Sequence, residues 1–128
     1  MNKADLTIIG GGPAGVAAAC EAAKFGVRSV IVEETDRIGG KVLHHIGIQS
    51  VDVEANNTAK RLQTDFEKFS GKISVLRNMR VWNVDSNGVV SLSHSRNLKF
   101  SKEKNEDFED KACLFSDTVI IAKGALER

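Results

Sequence analysis

The stretch LTIIGGGPAGVAAAC, residues 6–20, decides how the rest of the chain is organised. Leu6-Thr-Ile-Ile9 is a short apolar run of the kind shown by a parallel strand buried on both faces. Three glycines follow, and then Pro13, which the first turn of a helix tolerates because the N–H it lacks would have no partner there. Ala14 to Phe25 is rich in alanine, and Gly26 is placed to end the helix. In this strand, turn and helix, Gly10 permits the tight turn, Gly12 lets a ligand approach the backbone, and Gly15 lets helix and strand lie close together. The helix start carries free N–H groups and the positive end of the helix dipole, which both favour an anion.

Working outward, Ser29-Val-Ile-Val32 reads as a second buried strand and completes a βαβ unit. Glu33 stands at its end, about 20 residues beyond the glycines. A carboxylate there accepts hydrogen bonds from the hydroxyls of a ribose and repels a 2′-phosphate, so the glycines and Glu33 together predict a dinucleotide site. Val51 to Phe69 then reads as an amphipathic helix, with Val53, Ala59, Leu62, Phe66 and Phe69 at roughly helical spacing, and Ile73-Ser-Val-Leu76 as a third parallel strand.

The pattern then changes. Val81–Val84 and Val89–Leu92 flank Asp85-Ser-Asn-Gly88, and Asn-Gly between two strand-like runs predicts a hairpin. Ala112–Phe115 is expected as the third strand of this meander, reached across a mostly charged, solvated loop from Lys102 to Lys111. Val119–Ala122 is expected as a further short strand. The predicted fold class is therefore α/β: a Rossmann-like dinucleotide-binding fold, a parallel sheet joined to a three-stranded antiparallel β-meander, in one domain over residues 1–128.

Composition excludes several classes. The apolar share of 41% and charged share of 27% are globular. Eighteen basic against seventeen acidic residues leave a net charge of +1, no footprint for nucleic acid or an anionic membrane. Cys20 and Cys113 stand far apart with no ligand spacing, so neither a disulfide framework nor a metal site is expected. No leader ahead of Leu6 is expected, no run approaches the roughly 20 apolar residues of a membrane span, and a cytoplasmic location is expected.

A second glycine pair closes Glu33-Glu-Thr-Asp-Arg-Ile-Gly-Gly40. With GGGPAG at 10–15, the acidic strand end, this pair, and a meander returning to a strand before Ala122-Lys-Gly124, the chain resembles the FAD-binding domain of the two-dinucleotide-fold flavoprotein oxidoreductases, the group of glutathione reductase and thioredoxin reductase. The resemblance covers essentially all of the chain and implies FAD as cofactor, with hydride transfer through the flavin. It implies that Gly10, Gly12, Pro13, Ala14, Gly15, Glu33, Glu34, Gly39, Gly40, Lys41 and Val42 surround the cofactor, and that the backbone of Val81 lies beside the adenine. Lys123 and Gly124 occupy the place where the family usually has Thr-Gly. Lys41-Val-Leu-His-His-Ile-Gly47 replaces the CxxxxC of the disulfide reductases, so dithiol chemistry is not expected here. Gly39-Gly-Lys-Val-Leu43 is similar to the thioredoxin reductase branch, and the closing Gly124-Ala-Leu-Glu-Arg128 to the FAD subunits of amine and amino-acid dehydrogenases.

The resemblance further implies that a nicotinamide domain and a Gly-Asp segment complete such a site. The expected function is thus the FAD-binding portion or subunit of a flavin-dependent oxidoreductase, catalytically incomplete by itself and completed by another chain or as a homo-oligomer. Two alternatives stay open: a non-catalytic nucleotide-binding or interaction remnant, and an independent NAD- or ADP-binding module. Among the remaining residues, His44 and His45 are expected in ordinary polar loop contacts, Cys20 between helix and sheet, and Trp82 in meander packing. Lys123 has three open roles: reaching solvent, touching a phosphate, or marking a site that has drifted.

Overall fold

A computed structural model describes residues 2–39, 53–94 and 111–123. Strand β1 (Asn2–Ile9) is central, parallel to β2 (Ser29–Glu33) on one side and to β6 (Lys111–Ile121) on the other. Beyond β2 lies β3 (Ile73–Arg77), and beyond β6 lie β5 (Val89–His94) and the edge strand β4 (Met79–Val84), giving the order β3-β2-β1-β6-β5-β4. Helices α1 (Pro13–Lys24) and α2 (Val53–Lys68), with a 3-10 turn at Ser70–Lys72, complete the described elements.

The near-continuous apolar strands predict burial on both faces, and two separate cores provide it. Successive side chains of a strand alternate between faces. Ile31 accordingly joins Leu6, Ile8 and Ile73 beneath Val16, Ala19 and Cys20 of α1, with Leu62 and Phe66 of α2 alongside. Val30 and Val32 face the other way, onto Val90, Leu92 and Leu114, with Met79 and Val81 of β4 against the same cluster. The result is three layers: two helices, a parallel sheet, and a meander folded back over it. The small residues of α1 allow its close approach, since Val16 and Ala19 are fully buried without a large side chain between helix and strand.

The hairpin forms where Asn-Gly predicts it. Asp85 Oδ1 accepts the N–H groups of Asn87 and Val89 at 2.8 and 3.1 Å, and Gly88 takes the left-handed conformation at φ +87°.

Three expectations need correction. Ala112–Phe115 and Val119–Ala122 are not two strands but one: Lys111–Ser93 through Phe115–Val89 pair with β5, while Leu114 through Ile121 pair with β1. The polar interruption Ser116-Asp-Thr118 does not break the strand, because buried Ser116 donates its hydroxyl to the Thr118 carbonyl at 3.1 Å while Asp117 and Thr118 face solvent. Trp82 is not packed in the meander: it sits 59% exposed where the β4–β5 register shifts between Val81 and Asn83. Strand β1 also begins at Asn2, not Leu6, because the polar start of the strand pairs with Leu114, Phe115 and Ser116. Among the described residues, no helix is long and apolar enough to cross a membrane.

Candidate functional site

The C-terminal ends of β1, β2 and β6 meet at the glycine turn. Gly10 adopts φ +113°, its N–H donates to the Val32 carbonyl at 2.9 Å, and a Cβ there would stand 2.8 Å from the Ala122 carbonyl oxygen. Ala122 in turn donates to the Ile9 carbonyl at 2.8 Å, so the end of β6 braces the turn from outside. A Cβ at Gly15 would overlap the Gly10 carbonyl oxygen, which fixes how closely α1 crosses the strand end.

Gly12 differs from both. It is the N-cap of α1 at φ −79°, its carbonyl accepts the Val16 N–H at 3.0 Å, and a Cβ added to it would meet nothing within 4 Å. Space beside the backbone is open at the point where the first turn of a helix presents N–H groups, those of Ala14 and Gly15 among them, that have no carbonyl in their own helix. No acidic residue occupies that turn and no side chain caps it. Charge, donors and space all suit an anionic group here.

Glu33 reaches this turn from the end of β2. Its Oε1 accepts the Gly11 N–H at 2.9 Å, and its Oε2 accepts the N–H and hydroxyl of Thr35 at 2.9 and 2.7 Å. A Cβ at Gly11 would stand 2.8 Å from Oε1, so a side chain at that position and the carboxylate would compete for one place. Buried Gly39 donates its N–H to the Gly11 carbonyl, which seats the first residue of the second glycine pair on the first glycine loop. Gly10, Gly12, Pro13, Ala14, Gly15, Glu33 and Gly39 are thus brought together.

The other expected residues lie as follows. Glu34 pairs with Arg80 of β4, Oε2 to Nε at 2.9 Å, and Asn78, at φ +60°, donates its N–H to the Thr35 carbonyl at 2.9 Å. These contacts tie the loop after β2 to the β3–β4 connection. Val81 is half-buried against the meander core. Lys123 is exposed, and its backbone nitrogen lies 3.1 Å from where a Gly10 Cβ would stand. Gly40, Lys41, Val42, Gly124, His44 and His45 fall outside the described residues.

Two residues escaped the sequence reasoning. Gly11 is the unspecified position of the glycine pattern, hidden in a run of three, and Thr35 lies two residues past the acid, a spacing at which a hydroxyl and an N–H can both turn back on a carboxylate. Cys20 is buried between α1 and the sheet; burial first, then the negative charge of Asp65, pushes its thiol above the ordinary 9.0. Among the described residues, no group of three or more His, Cys, Asp or Glu side chains is placed to hold a metal.

Comparison with known proteins agrees with this fold. The sequence model of the family described as pyridine nucleotide-disulphide oxidoreductase matches residues 4–128. The chain is 39% identical over 95 residues to the hydrogen cyanide synthase subunit HcnB of Pseudomonas protegens, covering 66% of this chain and 19% of that protein. It is 31% identical over 122 residues to an NADH dehydrogenase of Bacillus subtilis, covering 94% of this chain and 21% of that one. The crystal structure of L-proline dehydrogenase from P. horikoshii superposes with a TM-score of 0.69 at 20% identity, over 98% of this chain and 23% of the other, and shares the fold. The chain therefore spans about a fifth of the length of these relatives.

Proposed function

Because the chain belongs to the pyridine nucleotide-disulphide oxidoreductase family, we propose that it binds FAD through the adenosine diphosphate half and serves as the cofactor-binding portion of a flavin-dependent oxidoreductase. The observation that carries this reading is the bond between Glu33 Oε1 and the Gly11 N–H. It sets a ribose-reading carboxylate directly against an anion-reading glycine turn, the spacing that a nucleoside diphosphate spans. Gly12, Ala14 and Gly15 would face the pyrophosphate and Glu33 the adenosine ribose. Gly39 closes the glycine turn on its outer side. The proposed site extends to Pro13, Glu34, Gly40, Lys41, Val42, Val81, Lys123 and Gly124. FAD supplies the hydride chemistry when bound; this chain contributes binding, orientation and electrostatics.

The 128 residues act as one dinucleotide-binding unit in the cytoplasm. The short share of each relative that is matched, and the naming of one relative as a subunit, support completion of the site by further polypeptide.

The test is a visible spectrum of the purified chain before and after addition of FAD, followed by titration with FAD, ADP and NAD. Flavin bands that persist through gel filtration support the proposal. Colourless protein that also fails to take up FAD overturns it, and NAD or ADP binding without flavin binding replaces it with an independent nucleotide module.

A further inference from the structure

Glu33 is held from two sides, and only one of them belongs to the glycine pattern. A carboxylate has about four acceptor positions on two oxygens. Thr35 fills two of them on Oε2, through its N–H at 2.9 Å and its hydroxyl at 2.7 Å, while Gly11 takes one on Oε1. The remaining acceptor capacity lies on Oε1, the oxygen beside the glycine turn. Thr35 is itself fixed: its carbonyl accepts the Asn78 N–H at 2.9 Å, and its hydroxyl accepts the Arg37 N–H at 3.3 Å. The hydroxyl has one hydrogen and two acceptors in reach, Glu33 Oε2 at 2.7 Å and the Arg37 carbonyl at 3.0 Å. The nearer acceptor carries the charge and takes it.

We infer that Thr35 is the positioning residue of this site: its hydroxyl sets the plane of the Glu33 carboxylate so that Oε1 presents its open lone pair to the 2′-hydroxyl of an adenosine ribose. This rests on the reading that Glu33 faces a ribose. Thr35 touches no ligand in this role; it acts through Glu33. Without the hydroxyl, Oε2 keeps a single donor and the carboxylate turns more freely, so discrimination at the 2′ position is lost before binding of the phosphates is.

The experiment compares ADP with 2′-deoxy-ADP by calorimetric titration of the 128-residue chain and its T35V, T35A and T35S variants. In the unaltered chain ADP binds about tenfold more tightly than its deoxy analogue, the size expected for one hydrogen bond to a charged group. In T35V and T35A the preference falls to within about twofold through weaker ADP binding, while T35S, which keeps the hydroxyl, retains it. Thr35 is exposed, so these variants keep the fold, and circular dichroism checks it. Equal loss for both ligands, or an unchanged preference in T35V, overturns the positioning role alone. An unaltered chain that binds ADP with no 2′ preference, or does not bind it, overturns the ribose reading beneath it.

Discussion

Glu33 and Gly11, 22 positions apart, are joined by a carboxylate oxygen and an amide N–H at 2.9 Å. The pair couples the glycine turn to the end of β2. Glu33→Gln retains the shape but turns one acceptor oxygen into a donor that faces the Thr35 or Gly11 N–H. We expect FAD and ADP affinity to fall about tenfold or more and stability to fall by about 1–2 kcal/mol. Titration and urea midpoints check the two effects separately.

Gly12 and Gly15 separate ligand from fold. At Gly15 a methyl group would overlap the Gly10 carbonyl, so Gly15→Ala should lower stability by about 1–3 kcal/mol, the range for forced overpacking, through a backbone shift. At Gly12 a methyl group meets no protein atom and φ is ordinary. Gly12→Ala should stay within about 1 kcal/mol of the original stability, the difference between glycine and alanine as N-cap, yet lose FAD binding. Retained binding in Gly12→Ala would remove the pyrophosphate from this place.

Lys123 is exposed and its backbone lies beside Gly10, so contact between its ammonium group and a phosphate at the turn can be tested directly. Lys123→Thr is expected to weaken ADP about threefold at low salt, with the difference vanishing near 1 M salt, as exposed charge interactions do. A clear gain in FAD affinity would instead mark the lysine as a drifted residue.

The thiols differ in reactivity and in pH dependence. Exposed Cys113 should react with a thiol reagent at once, and Cys20 only on unfolding. Burial raises the Cys20 pKa in the folded state, so the unfolded chain releases this proton first. Stability is unaffected below the ordinary thiol value of 9.0 and declines as pH rises past it. Cys20→Ala should flatten that decline, measured by denaturant midpoints between pH 8 and 10.5.

Trp82, the single tryptophan, reports the edge strand. Its emission should be red-shifted and readily quenched by acrylamide in the folded chain, and Trp82→Ser should change stability by no more than about 0.5 kcal/mol. A blue, protected emission would show the residue covered.

What was legible in the sequence was local and periodic. The βαβ unit is written in contiguous residues, and Asn87-Gly88 alone specifies the hairpin. Glu33 was legible because strand length and helix length together fix its distance from the glycines. The continuity of β6 was not, since Ser116, Asp117 and Thr118 read as a break until the Ser116–Thr118 bond and the exposure of Asp117 and Thr118 are seen. Trp82 misled because bulk and β-propensity suggest burial, whereas a register shift on an edge strand turns it outward. The Arg80–Glu34 pair spans 46 positions and two elements, and no periodicity announces it. Thr35 was missed for the opposite reason: its bonds are so short in sequence that they leave no pattern.

The position of β6 also sets a timetable. Gly10 is braced by Ala122, and β1 finds its second neighbour in the last described strand, so the glycine turn acquires its outer wall only when these distant parts of the chain meet. The βαβ unit can assemble early as a scaffold, but loop-closure entropy makes the β1–β6 ladder late and slow. During synthesis, competence for nucleotide should therefore switch on abruptly once β6 has left the ribosome, and nascent chains that end before it should be nucleotide-blind.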